Sequence, residues 1–395
     1  MSKQVAIIGA GSSGLLAATA IRNKKITLFE KNDRVGKKLF ATGNGRCNLL
    51  NESFGASGLF SKDDDIVKTV LGDNSFSEIS EYFKNLGLFT FTDNEGRIYP
   101  LSNQSSSVLD ILRFSARKNG ADIITDTEVL EINKTENGFE IITENGKSFS
   151  DIVIFSTGGM ASAKTNGYDI LKKLGHTIIP PSPVLVQLKA DTAFTAPLKG
   201  IRSKVKISLY EKDTLLREES GEIQFTDYGL SGIASMQLSR FITENCYVLI
   251  DFADGFSEEE IYRSLKNSLH NSNDISDIFA GILKRRVAEE IIKKTLHISP
   301  RAKSVNLSDE EIRKLSKEIK ALKLDIKGTL GFDSAQVTRG GVSLSEINPE
   351  TMESKIHKGL YITGEVLDCD GECGGYNLGW AWLTALRASN GVNNA

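Results

Sequence analysis

The chain has few cysteines and almost no net charge. It carries 4 cysteines in 395 residues and a formal net charge of −3 at pH 7. Four cysteines are too few for a disulfide framework in a chain of this length. We therefore expect a reducing, cytoplasmic compartment. A charge near zero supplies no global basic field for a nucleic acid or an anionic membrane surface. We therefore expect neither as partner, and the sequence leaves the oligomeric state open.

Clustered histidines and paired metal-binding cysteines are also missing. The four histidines stand apart, at His176, His270, His297 and His357. Without triad or H-E-x-x-H spacing, surface or capping roles are expected for them. Cys369 and Cys373 have no second cysteine pair to complete a zinc site, so we interpret them as packing residues and expect no metal. No residue stands out as a general acid or base, so the catalytic residues are left unassigned.

The amino-terminal segment combines a short apolar run, a set of glycines and a second apolar run at helical spacing. Residues 5–8 suit a buried parallel strand, and residues 15–21 are good helix formers. Between them lie Gly9, Gly11 and Gly14. In this order the glycines permit a tight turn, close approach of a pyrophosphate, and close packing of helix and strand. The segment predicts a dinucleotide site with the phosphates at the helix N-terminus.

An acidic residue stands at the end of the second predicted strand. Glu30 follows the apolar run 26–29, where a carboxylate can accept hydrogen bonds from an adenosine ribose. FAD and NAD present the same ADP half to such a turn, so the glycines do not separate them. The basic, glycine-rich stretch 30–51 favours a flavin, because it can cover the pyrophosphate and reach toward an isoalloxazine. Cys47 within it has no partner motif nearby, and a packing role is favoured over a reactive thiol.

The middle of the chain has a different pattern. The sequence PPSP at 180–183 is interpreted as a break in regular structure and a boundary. Residues 184–256 alternate apolar and polar side chains, which predicts an antiparallel β-barrel-like insert. Residues 257–330 show capping-box spacings and helical apolar stripes, which predict a small helical insert. No second G-x-G-x-x-G opens a strand-turn-helix unit here, so no dedicated NAD(P)H domain is expected.

Three long stretches resemble a known family: GKKLFATGNGRCN at 36–48, GEIQFTDYGLSGIASMQLS at 221–239, and the segment 335–382 from AQVTRGG to GYNLGWAW. They are similar to the bacterial aminoacetone-oxidase-like flavoproteins, a family that also includes flavoproteins linked to bile-acid dehydroxylation. The resemblance implies an α/β fold of the glutathione-reductase-like superfamily. Its Rossmann-type FAD-binding domain is discontinuous (1–183 and 331–395) and carries the β-barrel-like insert (184–256) and the helical insert (257–330).

The predicted FAD-binding residues are spread along the chain. They are Gly9, Gly11, Ser13, Gly14, Glu30, Lys31, Lys38, Thr42, Gly43, Arg46, Cys47, Asn48, Val129, Thr157, Gly158, Gly159, Gly364, Glu365, Asp368, Gly374, Gly375, Tyr376 and Asn377. Val129 is where such folds hold the adenine through backbone groups. The resemblance implies that the 364–368 loop meets the ribityl and pyrophosphate portion. The helix start after residue 375 is expected to stabilise negative charge on the reduced flavin.

The resemblance implies an FAD-dependent oxidoreductase that moves a hydride equivalent between a small organic substrate and flavin, with dioxygen or a transiently bound NAD(P)H as the other redox partner. Aminoacetone-type amines and enone-like steroids are both substrates in the family, and they require opposite flavin half-reactions. The alternative is a flavoprotein with structural or sensing FAD that binds a macromolecule such as tRNA, since superfamily relatives modify tRNA. The net charge and the lack of aromatic–basic clustering in the sequence disfavour RNA.

Overall fold

The computed structural model describes residues 2–161 and 165–395, and the chain divides into two compact units. One unit comprises Met1–Pro183 and Val337–Ala395, and the other comprises Val184–Gln336. The strands of the described residues are β1 (Gln4–Ile8), β2 (Lys25–Phe29), β3 (Leu50–Asn51), β4 (Leu59–Phe60), β5 (Thr90–Thr92), β6 (Arg97–Pro100), β7 (Asp122–Ile124), β8 (Val129–Lys134), β9 (Phe139–Thr143), β10 (Gly146–Ser150), β11 (Ile152–Phe155), β12 (Ile178–Val184), β13 (Leu188–Ala190), β14 (Arg202–Glu211), β15 (Thr214–Phe225), β16 (Gly229–Ser231), β17 (Cys246–Asp251), β18 (Leu322–Thr329), β19 (Val337–Val342), β20 (Leu360–Ile362) and β21 (Asp370–Gly371). The α-helices are α1 (Ser12–Ala20), α2 (Lys37–Ala41), α3 (Asp64–Leu71), α4 (Ser75–Asn85), α5 (Ser105–Lys118), α6 (Gly167–Lys173), α7 (Thr192–Thr195), α8 (Ile233–Leu238), α9 (Glu258–Ser268), α10 (Arg285–Leu296), α11 (Asp309–Lys320) and α12 (Tyr376–Asn394).

A five-stranded parallel sheet forms the centre of the first unit. Its strand order is β20-β11-β1-β2-β7. The apolar runs of β11 and β20 are buried along their whole length, as parallel strands covered on both faces require. In such a sheet the carboxyl ends of neighbouring strands lie at one edge. The loops that follow β20, β11, β1 and β2 therefore meet there, and this edge is where α/β folds bind ligands.

Helix α12 packs beside α1 and runs in the same direction. The hydroxyl of Ser389 donates to the carbonyl of Ala17 at 3.4 Å, and the amide of Asn393 donates to the carbonyl of Ala20 at 3.1 Å. Because later residues of α12 meet later residues of α1, the two N-termini face the same edge of the sheet. Each helix leaves its first N–H groups without helical acceptors and carries the positive end of its dipole there.

Smaller sheets surround this centre. They are β10-β9-β8, β3-β6-β5, β21-β4 and β12-β19. The interpretation of PPSP as a break in regular structure is wrong, because residues 180–183 lie inside β12. That strand pairs only with β19 in the described residues, so prolines without N–H groups are tolerated on its other side.

One histidine has a role that its isolation in the sequence hides. His176 is 3% exposed, so the expectation of a surface or capping role is wrong for it. Its Nδ1 lies 2.9 Å from the carboxylate of Glu346, and its Nε2 lies 3.0 Å from the hydroxyl of Ser354. Burial lowers the pKa of His176, although Glu346 opposes the shift. The ring thus joins segments far apart in the chain as a neutral, doubly hydrogen-bonded group.

The second unit contains a closed antiparallel barrel of strand order β13-β16-β15-β14-β17-β18. Helices α9 and α11 begin with the predicted capping boxes, in which Ser257 pairs with Glu260 and Ser308 with Glu311. Barrel and helical side chains share one apolar core. The division of this unit into separate barrel and helical inserts stays a prediction. In the described residues of both units, no helix is long and apolar enough to cross a membrane.

Candidate functional site

The turn between β1 and α1 encloses an open space. Gly9 has a φ of +99°, and a Cβ there would lie 2.6 Å from the carbonyl oxygen of Ser156, so glycine is required. A Cβ on Gly14 would overlap the Gly9 backbone and lie 2.6 Å from the Ser156 hydroxyl. A Cβ on Gly11 would instead meet nothing within 4 Å. The first and third glycines thus serve packing, whereas Gly11 borders a space that the first N–H groups of α1 face.

Glu30 is held at the end of β2 by backbone and side-chain donors. It is 7% exposed, and its Oε2 accepts a hydrogen bond from the N–H of Ala10 at 3.0 Å. Its Oε1 accepts from the N–H and the side-chain amide of Asn32, at 2.9 and 2.5 Å. These bonds fix the carboxylate against the glycine turn. A carboxylate has about four acceptor positions, so capacity is left for the hydroxyls of a ligand.

A cavity of about 620 Å³ lies beyond the end of β2. Its lining residues are Lys31, Asn32, Asp126, Glu128, Glu144, Thr165, Asn166 and Asp169. The side-chain amide of Asn166 also donates to the carbonyl of Val129 at 2.9 Å. Val129 is predicted to hold an adenine through backbone groups, and its carbonyl also accepts this hydrogen bond from Asn166.

The loops after β11 and β20 close onto the glycine turn. The hydroxyl of Ser156, directly after β11, donates to the carbonyls of Ile8 and Gly9 at 3.0 and 2.9 Å. The hydroxyl of Ser13, in α1, donates to that of Thr363 at 2.7 Å. A Cβ on Gly364 would lie 3.2 Å from the Cβ of Ser13. Segments more than 300 residues apart in the chain, 9–14 and 363–368, therefore form one structure.

Lys38 and Glu365 form an ion pair across this edge. The Lys38 ammonium lies 2.6 Å from Glu365 Oε2, and Glu365 Oε1 accepts the N–H of Thr338 at 2.8 Å. A Cβ on Gly159 would lie 3.1 Å from the same Oε1, so the 157–159 loop passes directly beside this carboxylate. Gly158 has a φ of +73°, and a Cβ there would meet nothing within 4 Å. A second glycine with open space thus lies in the 157–159 loop, whose first residue packs against Gly9.

The loop 42–48 turns tightly around a buried cysteine. The N–H of Cys47 donates to the carbonyl of Thr42 at 3.0 Å, and a Cβ on Gly43 would lie 2.9 Å from the N–H nitrogen of Asn48. Burial raises the pKa of the Cys47 thiol to about 12, so the group stays protonated. The packing role expected for Cys47 agrees with this burial. The side-chain oxygen of Asn48 is buried and has no hydrogen-bond partner in the part of the chain that the structure describes.

Arg46, in the same loop, belongs to an aromatic–cationic stack. Its guanidinium lies 4.5 Å from the centroid of the Tyr99 ring. The ring of Phe91 stacks on Tyr99 at 5.8 Å with an interplanar angle of 29°. The lack of aromatic–basic clustering noted in the sequence is therefore not true of the folded chain, because β5 and β6 bring these rings beside the loop.

The carboxyl-terminal residues divide into two kinds. The side chain of Asn377 is occupied by the chain itself: its oxygen accepts the N–H of Gly371 at 2.8 Å and its amide donates to the Gly371 carbonyl at 2.9 Å. The hydroxyl of Tyr376 donates to the Ser53 carbonyl at 3.3 Å. These two side chains build the loop, and their backbone N–H groups are what the start of α12 offers to a ligand.

Asp368 is the buried acid of the loop after β20. Its Oδ2 accepts the N–H of Lys62 at 3.3 Å. Burial raises the pKa of its carboxyl group. Gly374 and Gly375, just before α12, both have positive φ, and a Cβ on Gly374 would lie 3.6 Å from the side-chain nitrogen of Asn51. That amide donates to the Gly374 carbonyl at 3.0 Å, so β3 fixes the turn from which α12 begins.

The fold brings the segments 9–14, 157–159 and 364–368 together at one edge. Sequence reasoning missed Thr338 and Tyr168, which lie beside that edge, and Tyr99 and Asn51, which contact the loops at Arg46 and Gly374. None of them carries a local sequence signal, because each acts through contacts with distant segments. In the part of the chain that the structure describes, no group of three or more His, Cys, Asp or Glu side chains could hold a metal ion.

The first unit has a parallel sheet with a glycine turn after β1 and an acid after β2, and the second unit has a closed antiparallel barrel. Together these features define a Rossmann-type FAD-binding fold. The sequence matches the family described as HI0933-like protein Rossmann domain over residues 3–391, and the chain belongs to that family. The predicted fold class and the predicted FAD-dependent oxidoreductase are both confirmed.

Relatives in sequence agree with this membership, and a solved structure agrees with the fold. The chain is 35% identical over 401 residues to a 3-dehydro-bile acid delta(4,6)-reductase of Clostridium scindens, with 98% of each chain covered. It is 28% identical over 401 residues to a ribosomal RNA dihydrouridine synthase of Haemophilus influenzae, again with 98% of each covered. A flavocytochrome c3 fumarate reductase structure has a TM-score of 0.50 and 14% identity, covering 100% of this chain and 78% of the other, and shows similarity of fold.

Proposed function

We propose that this chain holds FAD along the edge where β20, β11, β1 and β2 end, and uses it to reduce a carbon–carbon double bond conjugated to a carbonyl in a small ring substrate. The observation that carries the proposal is the joint enclosure of one edge by the segments 9–14, 157–159 and 364–368. Two parallel helix N-termini face the same edge. A single elongated, anionic ligand suits this arrangement.

The residues present fit FAD from end to end. The open space at Gly11 and Gly158 suits a pyrophosphate, since no side chain fills it and N–H groups face it. Glu30 keeps acceptor capacity for ribose hydroxyls, and the cavity beyond β2 gives room for an adenine. Asp368 is suited to accept hydrogen bonds from ribityl hydroxyls. The partnerless oxygen of Asn48 suits a ligand N–H.

The remaining predicted residues have supporting roles in this proposal. Lys38 neutralises Glu365 beside the phosphate space, so the cofactor does not face an isolated carboxylate. The backbone of the 374–377 segment presents the positive end of α12 toward the region where a reduced flavin would carry negative charge. Lys31 lines the adenine end. Thr42, Gly43, Arg46 and Cys47 shape the loop that would cover the ring.

The direction of the reaction is proposed from the relatives. Bound FAD supplies hydride-type chemistry. One relative is named for reducing the delta(4,6) positions of a 3-dehydro bile acid, and another for forming dihydrouridine in ribosomal RNA. In both, hydrogen is added to a double bond in conjugation with a ring carbonyl. The reductive direction is therefore preferred to oxidation of an aminoacetone-type amine, and NAD(P)H is proposed as the electron donor.

Anaerobic mixing tests this direction. The purified yellow protein is mixed separately with NADH, NADPH and a panel of amines, and the visible flavin absorbance is followed. We expect bleaching by a nicotinamide and recovery of colour when a cyclic enone is added. If an amine bleaches the flavin and neither nicotinamide does, the proposed reductase activity is refuted and an amine oxidase activity is favoured. A colourless protein that does not take up added FAD would refute the cofactor proposal itself.

Reduction of a base in RNA is a second candidate, supported by the stack of Arg46, Tyr99 and Phe91. Phe91 is 37% exposed and its neighbour Phe89 is 70% exposed, so an unstacked base could add to the stack. Filter binding with bulk ribosomal RNA at low and moderate salt tests it. Saturable retention that falls steeply with salt and is lost in Phe91→Ala would favour RNA. Weak, unsaturable retention would favour the small ring substrate over RNA.

A further inference from the structure

Tyr168 carries a buried hydroxyl that the fold leaves without a hydrogen bond. The residue is 8% exposed, and its hydroxyl oxygen has no hydrogen-bond partner among the described residues. A buried hydroxyl that has exchanged water for no partner destabilises a protein, which is why such groups are rare in folded chains and point to a missing partner. The phenol ring itself is well packed, so the unsatisfied group is confined to one oxygen atom.

Tyr168 lies in a helix that packs against two segments of the candidate site. It is the second residue of α6, and Gly167 before it packs so closely on the Thr157 side chain that a Cβ there would overlap it. Asn166, which precedes α6, is tied to the Val129 carbonyl at 2.9 Å. The amino-terminal turn of α6 is therefore held between the 157–159 loop and the start of β8, both of which contribute predicted FAD-binding residues.

Burial and the nearby carboxylates keep the Tyr168 hydroxyl protonated, so that it can donate a hydrogen bond. Burial is the main cause that raises the pKa of Tyr168, and the carboxylates of Glu365 and Asp368 raise it further. Those two acids belong to the loop after β20, and the 157–159 loop on which α6 packs passes directly beside Glu365, since a Cβ on Gly159 would lie 3.1 Å from its Oε1. Neither carboxylate accepts a hydrogen bond from it in the structure. A neutral phenol is thus presented beside the ligand space with its proton available.

We propose that Tyr168 is a cofactor-binding residue whose hydroxyl donates a hydrogen bond to an oxygen of the phosphate–ribityl portion of FAD. The inference rests on the proposed function. It assigns a role to α6, in which the sequence predicted no cofactor-binding residue. It also has an energetic consequence with opposite signs in the two states: the hydroxyl destabilises the empty protein and stabilises the loaded one.

The test compares Tyr168→Phe with wild type, both with FAD removed and with FAD restored. In the flavin-free protein we expect the variant to melt at the same temperature as wild type or higher, because a buried group without a partner has been deleted. We expect its FAD dissociation constant, measured by titration of the flavin-free protein, to rise roughly tenfold, which corresponds to about 1.4 kcal/mol.

Tyr82→Phe is the matched control. The Tyr82 hydroxyl lies 2.6 Å from that of Thr19, away from the site, so its loss should lower the melting temperature with and without FAD and leave the dissociation constant unchanged. The inference is overturned if Tyr168→Phe lowers the melting temperature of the flavin-free protein as Tyr82→Phe does, or if it binds FAD as tightly as wild type. If wild type itself takes up no FAD, the proposed function fails as well, which separates the two failures.

Discussion

Gly11→Ala is a substitution that should remove the cofactor and spare the fold. Gly11 has a φ of −78° and a ψ of −164°, an extended conformation open to any residue, and a Cβ there would meet nothing within 4 Å. The added methyl group therefore enters only the space that faces the first N–H groups of α1. If that space holds the pyrophosphate, the methyl group and a phosphate oxygen compete for it.

The expected magnitudes differ widely between the two states. Replacing glycine by alanine in a compatible conformation stabilises a chain by about 0.4–1 kcal/mol through the unfolded state. Alanine is a poorer helix N-cap than glycine, which offsets that gain. The free energy of unfolding without FAD should thus stay within about 1 kcal/mol of wild type. Loss of two hydrogen bonds to a charged phosphate, at about 1.5–3 kcal/mol each, weakens FAD binding by at least about a hundredfold.

Flavin content after purification and urea unfolding of the flavin-free proteins measure these two effects. Gly14→Ala is the control, because its Cβ would overlap the Gly9 backbone; it should lose stability even without FAD. Gly11→Val, with a larger side chain, should be colourless. The reasoning is refuted if Gly11→Ala retains FAD with wild-type affinity, or if it unfolds as readily as Gly14→Ala in the absence of flavin.

Three other perturbations follow from the described contacts. Both carboxylate oxygens of Glu30 accept hydrogen bonds from N–H groups, so Glu30→Gln places its –NH₂ group against an N–H donor whichever way the amide turns. We expect the free energy of unfolding of the flavin-free protein, measured in urea, to fall by about 1–3 kcal/mol. An unchanged midpoint would contradict this. Cys47 should resist iodoacetamide in the native protein and react after denaturation, because its pKa is raised to about 12; native labelling seen by peptide mass mapping would count against its burial. The pKa of His176 is lowered by folding, so the unfolded chain binds the proton more readily and stability should fall as pH drops below about 6.5. His176→Gln should flatten that fall in urea titrations, and equal slopes would exclude the histidine as its source.

The features predicted correctly from the sequence are those in which neighbours along the chain do the work. Gly9, Gly11 and Gly14 lie within six residues, so the turn, its packing and its open space all follow from local spacing. The capping boxes at Ser257 and Ser308 are local in the same sense. Each pattern joins side chains to backbone groups only a few residues away, and its geometry needs no knowledge of the rest of the fold.

The features that were missed depend on distant partners. The PPSP segment was predicted to break regular structure, but it forms a strand because it pairs with β19, more than 150 residues later. His176 looks isolated because Glu346 and Ser354 reach it only in the folded chain. Tyr168 is notable because its hydroxyl has no hydrogen-bond partner within residues 2–161 and 165–395, and a sequence does not reveal a missing contact. Such features need the tertiary structure, since their energies arise from groups that folding alone brings together.

The parallel arrangement of α1 and α12 has a consequence for how the protein matures in the cell. The glycine turn emerges early from the ribosome, but the strand and helix that enclose it on the other side are translated only after the whole barrel unit. A nascent chain halted before residue 360 would have the glycine turn without the strand and helix that pack beside it. With the proposed FAD site, flavin binding would have to follow synthesis of the whole chain, and truncation near the carboxyl terminus should reduce cofactor loading as severely as damage to the first turn.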